Sequence, residues 1–314
     1  MGKDLDSPGR SQALVALLKA AMQRHAPDVS VHGADKEALL KTLWSAAGPG
    51  AVWEAGLSLR HTGPHPVLDA LIAGRTAVEV MERWRRLERF GHTVHRTRVL
   101  EQSVSEGGGT MVLEHFALSG DAILAANDVF VWGLLVGLME RAGVQGLSAH
   151  LGESLEGPHM LNLNALTSGP DDASPGSPWD SVPTARMILK WKSIDPKPLL
   201  SSPELRPGRL TRRLEPLLTQ DLVRPWRLDD VAQILGLSRR SMQRHLKAEG
   251  VTFSTLVLRV RVEAARALIR AGRLSLTEVA FCTGFADQAH FTRSFRKLLD
   301  VPPSAFRDLV TTEA

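Results

Sequence analysis

The sequence predicts an α+β N-terminal domain followed by an all-α domain, the second built from two helix-turn-helix units joined by a linker helix. Three observations predict it. The hydrophobic period passes from helical to alternating and back between Thr76 and Arg141. A break holding Pro196, Pro198, Pro203 and Pro207 then interrupts the chain. Beyond it, one pattern recurs at an offset of 48 to 49 residues. The 314 residues suit two domains, and 43% apolar with 23% charged residues excludes whole-chain disorder and the collagen-like and disulfide-rich classes. The one cysteine, Cys282, makes neither an internal disulfide nor a cysteine zinc site, so a reducing, cytoplasmic setting is expected.

The elements follow in order. Residues 11–25 place Leu14, Val15, Leu17, Leu18, Ala21 and Met22 at helical spacing behind Ser11 as cap. Lys36 to Ala47 repeats the pattern with Leu39, Leu40, Leu43 and Trp44. Thr76 to Phe90 is a third helix, with Val80, Met81, Trp84, Leu87 and Phe90 inward and Arg83, Arg85, Arg86 and Arg89 mostly solvated. His92–Val104 and Thr110–Leu118 read as strands of a hairpin closed by Ser105-Glu106-Gly107-Gly108-Gly109. Asp121 to Arg141 returns to helix behind a Ser119-Gly120-Asp121 cap signal. Gly146–Leu151 and His159–Leu166 are short strands. Ser168–Pro183, with 10 Ser, Gly or Pro in 16 residues, is a loop. The domains are therefore expected at residues 1–195 and 209–314, with a linker at 196–208.

Charge divides along the same line. From Glu204 onward there are 19 basic residues, 17 of them Arg, against 12 acidic ones, a net of +7 inside a chain of net +4. A basic domain on a slightly acidic one points to a polyanion partner. No membrane partner is expected. The first ten residues lack a signal-peptide core, and Asp6 stands where a myristoylation signal has Ser or Thr. The apolar run Val129–Met139 falls short of the ~20 residues a bilayer needs and reads as a buried helix.

The repeat pairs Leu228-Asp229-Asp230-Val231-Ala232-Gln233-Ile234-Leu235-Gly236-Leu237-Ser238 with Leu276-Thr277-Glu278-Val279-Ala280-Phe281-Cys282-Thr283-Gly284-Phe285. Ala232 and Ala280 let the next helix cross closely, and Gly236 and Gly284 permit the left-handed turn. Ser238 and Asp287 stand as caps, and Met242/Leu246 and Phe291/Phe295 form inner faces. This is the helix-turn-helix arrangement, whose second helix enters the DNA major groove. Phe253–Ala271 forms the connector, a helix spanning roughly 27 Å, which suits recognition helices in successive grooves ~34 Å apart.

Outside the inner faces lie Arg239, Arg240, Gln243 and Arg244 on the first recognition helix and Gln288, His290 and Arg293 on the second. Arg reads guanine and Gln reads adenine edges, and either can bind phosphate instead; His290 is equally a helix-packing residue. Lys247, Arg296 and Lys297 are phosphate candidates. Arg261 and Arg266 are expected to pair with acids such as Glu263. Cys282 is expected to be a small buried apolar residue.

The runs Ser238…Gln243-Arg244, Arg261-Val262-Glu263-Ala264-Ala265-Arg266-Ala267-Leu268, Val279-Ala280…Gly284-Phe285-Ala286-Asp287-Gln288…Phe291…Arg293…Phe295-Arg296 and Val301-Pro302-Pro303-Ser304…Phe306-Arg307 resemble the DNA-binding domain of AraC/XylS-type transcription regulators over about residues 209–310. The resemblance implies that Arg240, Gln243 and Arg244 approach bases, and that the chain contacts RNA polymerase. It departs at Asp300, where Gly is usual, and at His290, where Tyr is usual. The Val78–Phe90, His92–Leu118 and Asp121–Arg141 elements more faintly resemble the family's effector-binding and dimerisation domains, which assigns no effector residue.

The expected function is a bacterial-type DNA-binding regulator of double-stranded DNA, whose N-terminal domain senses a small molecule, forms a homodimer, or does both. A DNA-binding protein whose N-terminal domain only oligomerises is the alternative. No enzyme, cofactor or metal is expected. Gly63-Pro64 breaks the helix that would align His61 with His65, and His92 and His95 fall on opposite strand faces.

Overall fold

The computed structural model describes residues 12–29, 35–91, 94–105, 108–152, 161–163, 183–195 and 210–312. These form two compact units, one within residues 7–195 and one within 196–314. The Ser11 cap, most of the Ser168–Pro183 loop and the 196–208 linker lie outside the described residues.

The N-terminal unit opens with helices α1 (Gln12–His25), α2 (Lys36–Leu57), α3 (Pro66–Ile72) and α4 (Ala77–Gly91). The helix predicted to stop at Ala47 does break there, because Gly48 takes φ 78°. Pro49, pre-set for the first turn of a helix, restarts it, and the second half runs on to Leu57. In α4, Val80, Met81 and Trp84 are buried as expected, while Leu87 and Phe90 are half-buried. Arg83 corrects the sequence reading: it is buried, and its guanidinium donates to the Ala70 carbonyl at 2.7 Å.

The hairpin forms as strands β1 (His95–Ser105) and β2 (Gly108–Ala117), with a bulge between Val99 and Glu101. Helix α5 (Ala125–Arg141) starts four residues later than the Asp121 signal implied, and its N-cap, Leu124, makes no side-chain cap bond. Every residue from Ala126 to Met139 is buried, so the apolar Val129–Met139 run is the unit's central helix. It crosses α2 on glycines. A Cβ on Gly56 would stand 2.8 Å from the Leu134 nitrogen, and one on Gly133 3.0 Å from the Leu57 nitrogen, so only glycine lets the backbones approach this closely.

The rest of the unit is sheet. Strands β3 (Val144–Gln145), β4 (Ser148–Leu151), β5 (Leu161–Asn162), β6 (Arg186–Trp191) and β7 (Ser193–Ile194) complete it. The antiparallel order is β1-β2-β6-β4-β5, with β3 and β7 paired apart. Gly146–Leu151 thus narrows to β4, and of His159–Leu166 only β5 lies in a described strand. Strand β6 was not anticipated. Its Met187, Ile188 and Leu189 are all fully buried, so it lacks the alternation that marks a half-exposed strand.

Glu114 on β2 bridges Arg98 on β1 and Arg186 on β6, the latter at 3.2 Å. Burial pushes its carboxyl up, the two guanidiniums pull it down, and the net lies below the usual carboxylate range. A depressed folded value stabilises the fold above the unfolded pKa and is lost as pH falls through the folded one. Acid titration of stability is therefore expected to show a loss below about pH 4.3 that Glu114→Gln removes. Parallel acid curves for the two proteins would refute this.

The C-terminal unit is all helix among the described residues: α6 (Leu210–Thr219), α7 (Leu228–Ile234), α8 (Arg239–Ala248), α9 (Phe253–Arg270), α10 (Leu276–Cys282), α11 (Gln288–Leu299) and α12 (Pro303–Thr312). Leu210, Leu214, Leu217 and Leu218 of α6 pack with Trp226, Val231, Met242, Leu246, Leu256 and Val260 as one core. The second half centres on Phe281, Phe285, Phe291 and Phe295, all fully buried. Phe295 meets Phe306 of α12 at 5.6 Å between ring centroids. Cys282 is buried, as expected of a small apolar residue. Among the described residues, no helix is long and apolar enough to cross a membrane.

Candidate nucleic-acid interface

The two turns are built alike. After α7, the Gly236 nitrogen donates to the Gln233 carbonyl (3.1 Å) and the Leu237 nitrogen to the Ala232 carbonyl (2.9 Å). After α10, the Gly284 nitrogen donates to Phe281 (3.1 Å) and the Phe285 nitrogen to Ala280 (3.1 Å). The two glycines take φ 65° and 81°, so each first helix ends in the same left-handed turn. Ser238 then caps α8 by accepting from the Ser241 nitrogen, and Asp287 caps α11 by accepting from the His290 nitrogen. Ala232 and Ala280 are buried at the crossings.

These turns settle which sides of α8 and α11 face in. Met242 and Leu246 are buried on α8, and Phe291 and Phe295 on α11. Arg239, Arg240, Gln243, Arg244 and Lys247 are exposed on α8, and Gln288, Arg293, Arg296 and Lys297 on α11. Arg240, Gln243, Arg244 and Lys247 line one open hollow with Ser238 and Ser241. Ser241 was not singled out from sequence, although its place about one turn before Arg244 and two before Lys247 put it within reach.

Two candidates have partners inside the protein. Arg239 pairs with Asp229 of α7 across the turn, both side chains being exposed. His290 is half-buried, edge-on to Phe285 at 5.4 Å between centroids, and its Nδ1 accepts from the Ala286 nitrogen at 3.4 Å. Its ring therefore braces the second turn.

Two arginines of the linker helix α9 have different roles. Arg266 pairs with Glu263 at 2.8 Å, as expected. Arg261 does not: its Nη2 donates to the Arg224 carbonyl at 3.0 Å, in the loop between α6 and α7. Burial pulls its guanidinium down from its ordinary value, and Asp221 opposes this. The same guanidinium lies over the second turn, where a Cβ on Gly284 would stand 2.8 Å from Arg261 Nε and collide with the Leu222 carbonyl. One side chain thus ties the loop of the first half to the turn of the second. No local spacing signals it, because its partners lie 37 and 23 residues away.

A helix-turn-helix family model matches residues 231–308, from α7 into α12. Over 91 residues the chain is 35% identical to the urease operon transcriptional activator of Escherichia coli, covering 29% of this chain and 31% of that one. Over 110 residues it is 34% identical to the ornithine utilization regulator of Pseudomonas aeruginosa, covering 35% and 32%. The C-terminal domain is of the AraC/XylS type. The chain spans about a third of the length of the curated relatives it matches. Among solved structures, the transcriptional regulator CdpR of Pseudomonas aeruginosa aligns over 94% of this chain and 97% of its own, at 17% identity and a TM-score of 0.34. Within the AraC/XylS-type domain, Asp300 takes the left-handed conformation at φ 60° and ends α11, the backbone that makes Gly usual there.

Proposed function

We propose that this protein is a sequence-specific, DNA-binding transcription regulator that responds to a small-molecule effector. The observation that carries the reading is the pair of equivalent helices, α8 and α11. Each has its apolar side buried and a run of Arg, Gln and Lys exposed, in an AraC/XylS-type domain. The two helices enter adjacent major grooves. Arg240, Gln243 and Arg244 read bases from α8, and Gln288, His290 and Arg293 from α11. Arg239 joins them once it leaves Asp229. Lys247, Arg296 and Lys297 hold phosphates. The effector-binding and dimerisation domain occupies residues 1–195, the linker 196–208 and the DNA-binding domain 209–314. The protein works in the cytoplasm, as a homodimer, and contacts RNA polymerase. Relatives named as a urease operon transcriptional activator and an ornithine utilization regulator support the reading.

Selecting bound sequences from a random duplex library, then titrating variants on the selected site, tests it. Arg244→Ala and Arg293→Ala are each expected to weaken binding by on the order of 1–3 kcal/mol and to relax the preference at one base position. Lys247→Ala is expected to weaken binding to all sequences alike and to lower the salt slope by about 1. Unchanged affinity in both arginine variants would overturn the assignment of reading helices.

A further inference from the structure

The N-terminal unit has a hollow between its helices and the inner face of its sheet. It is lined by Leu14 of α1, Lys36 of α2, Trp84 and Glu88 of α4, His95 of β1, His115 of β2, and Phe130, Val131 and Leu134 of α5. Leu14, Lys36 and His95 are the partly exposed members and so form the rim; the others are buried. Phe130, Val131 and Leu134 give the lining apolar surface, and Lys36, His95 and His115 give it nitrogen bases.

The alternation of β2 brings His115 inward beside Met111, Leu113 and Ala117. Its Nδ1 lies 2.8 Å from Asp128 Oδ1, and Asp128 Oδ2 accepts from the Thr184 hydroxyl at 2.6 Å. With Nδ1 engaged by the carboxylate, the imidazole keeps Nε2 for another partner. The His95 ring stands edge-on to His115 at 5.3 Å between centroids. Lys36 reaches the same space, and its ammonium has no carboxylate within 4 Å among the described residues. Glu88, the acid in the lining, has its carboxylate taken by Trp84 Nε1 (2.8 Å), the Thr97 nitrogen (2.8 Å) and the Thr97 hydroxyl (2.6 Å).

The electrostatics agree with the geometry. Burial pulls the Lys36 ammonium below its ordinary value, with Glu37 opposing. Burial, then His115, then Lys36 push His95 down, against Asp128 and Glu37. Two basic groups are therefore held against their own protonation at the mouth of a hollow with apolar walls. A negative charge set between them would relieve both. The enclosed part of the hollow admits only a few heavy atoms, which selects a small ligand.

We propose that this hollow is a binding site for a short aliphatic monocarboxylate, with the carboxylate held by Lys36 and His95 and the alkyl end against Phe130, Val131 and Leu134. This adds a ligand class to the effector response proposed above. It rests on that reading only for its consequence on DNA, since binding itself is measured without DNA. Affinity rises as pH falls through the His95 titration. Lys36, His115, Asp128, Glu37 and Glu88 are the other titratable groups facing or flanking the ring.

Propionate is the probe, tested against the full chain in a carboxylate-free buffer. It is expected to raise the melting temperature and to move the His95 ring titration upward in proton NMR, because a ligand that binds only the folded state stabilises it by mass action. Propionamide, propylamine and chloride at the same concentration are expected to do neither. Lys36→Gln, at a partly exposed helix start, is expected to weaken propionate binding about tenfold or more while keeping the fold. Equal shifts from the amide or the amine, no shift from propionate, or an unmoved His95 titration would each overturn the proposal. Specific DNA binding that persists in the same protein would leave the regulator reading standing.

Discussion

Gly284→Ala is expected to destabilise the C-terminal unit by about 2–4 kcal/mol, whereas the equivalent change at Gly236 costs about 1–2 kcal/mol. Both glycines hold a left-handed turn, so both substitutions strain the backbone. Only Gly284 is also crowded, by the Leu222 carbonyl and the Arg261 guanidinium, while a Cβ on Gly236 meets open space. The repeat makes the two positions equivalent in backbone, so the difference between them measures the packing alone. Urea unfolding of the full chain checks this, and equal midpoint shifts for the two variants would refute the account. When Gly284→Ala is combined with Arg261→Ala, the joint loss is expected to be less than the sum of the two, since removing the guanidinium frees one of the two obstacles while also breaking its bond to the Arg224 carbonyl.

The second large effect lies in the N-terminal unit. Asp128→Ala is expected to cost about 3–5 kcal/mol, because it strands His115 and the Thr184 hydroxyl in a site where the His115 and Asp128 side chains are each only 2% exposed. Asp128→Asn keeps the volume and one acceptor, and a smaller loss is expected. Thermal unfolding followed by circular dichroism separates the two, and similar midpoints for Ala and Asn would show that packing, not the polar pair, sets the stability there.

How far the structure can be read from sequence differs between the units for a physical reason. Each helix-turn-helix unit satisfies its own demands within about 20 residues: a small crossing residue, a left-handed glycine, a cap and two apolar positions. Ala232, Gly236, Ser238, Met242 and Leu246 therefore announce themselves, and their counterparts confirm them by repetition. The N-terminal unit is held by partners far apart in the chain. Glu88 meets Thr97, His115 meets Asp128, and Asp128 meets Thr184. Each of these residues looks like a surface group in its own neighbourhood, as Arg83 did. Strand β6 hides because burial on both faces removes the alternation that identifies a strand, and Asp121 misled because a cap signal preceded a helix that starts at Ala125 without one. In the interface, the exposed arginines were legible by elimination from the inner face. The Arg239–Asp229 pair and the bracing role of His290 depend on contacts that only the folded turn creates.

The Arg261 clasp has a mechanical consequence. Because one side chain on α9 grips the loop of the first half and lies over the turn of the second, α8 and α11 are expected to act as the jaws of a fixed caliper on the DNA we propose they read. Each base pair inserted between two half-sites turns the farther one by about 35° around the duplex axis. A stiff caliper does not follow that rotation, so DNA carrying both correct half-sites at the wrong interval is gripped by one jaw only. In the regulator proposed above, selectivity is then expected to reside in the interval as much as in the letters.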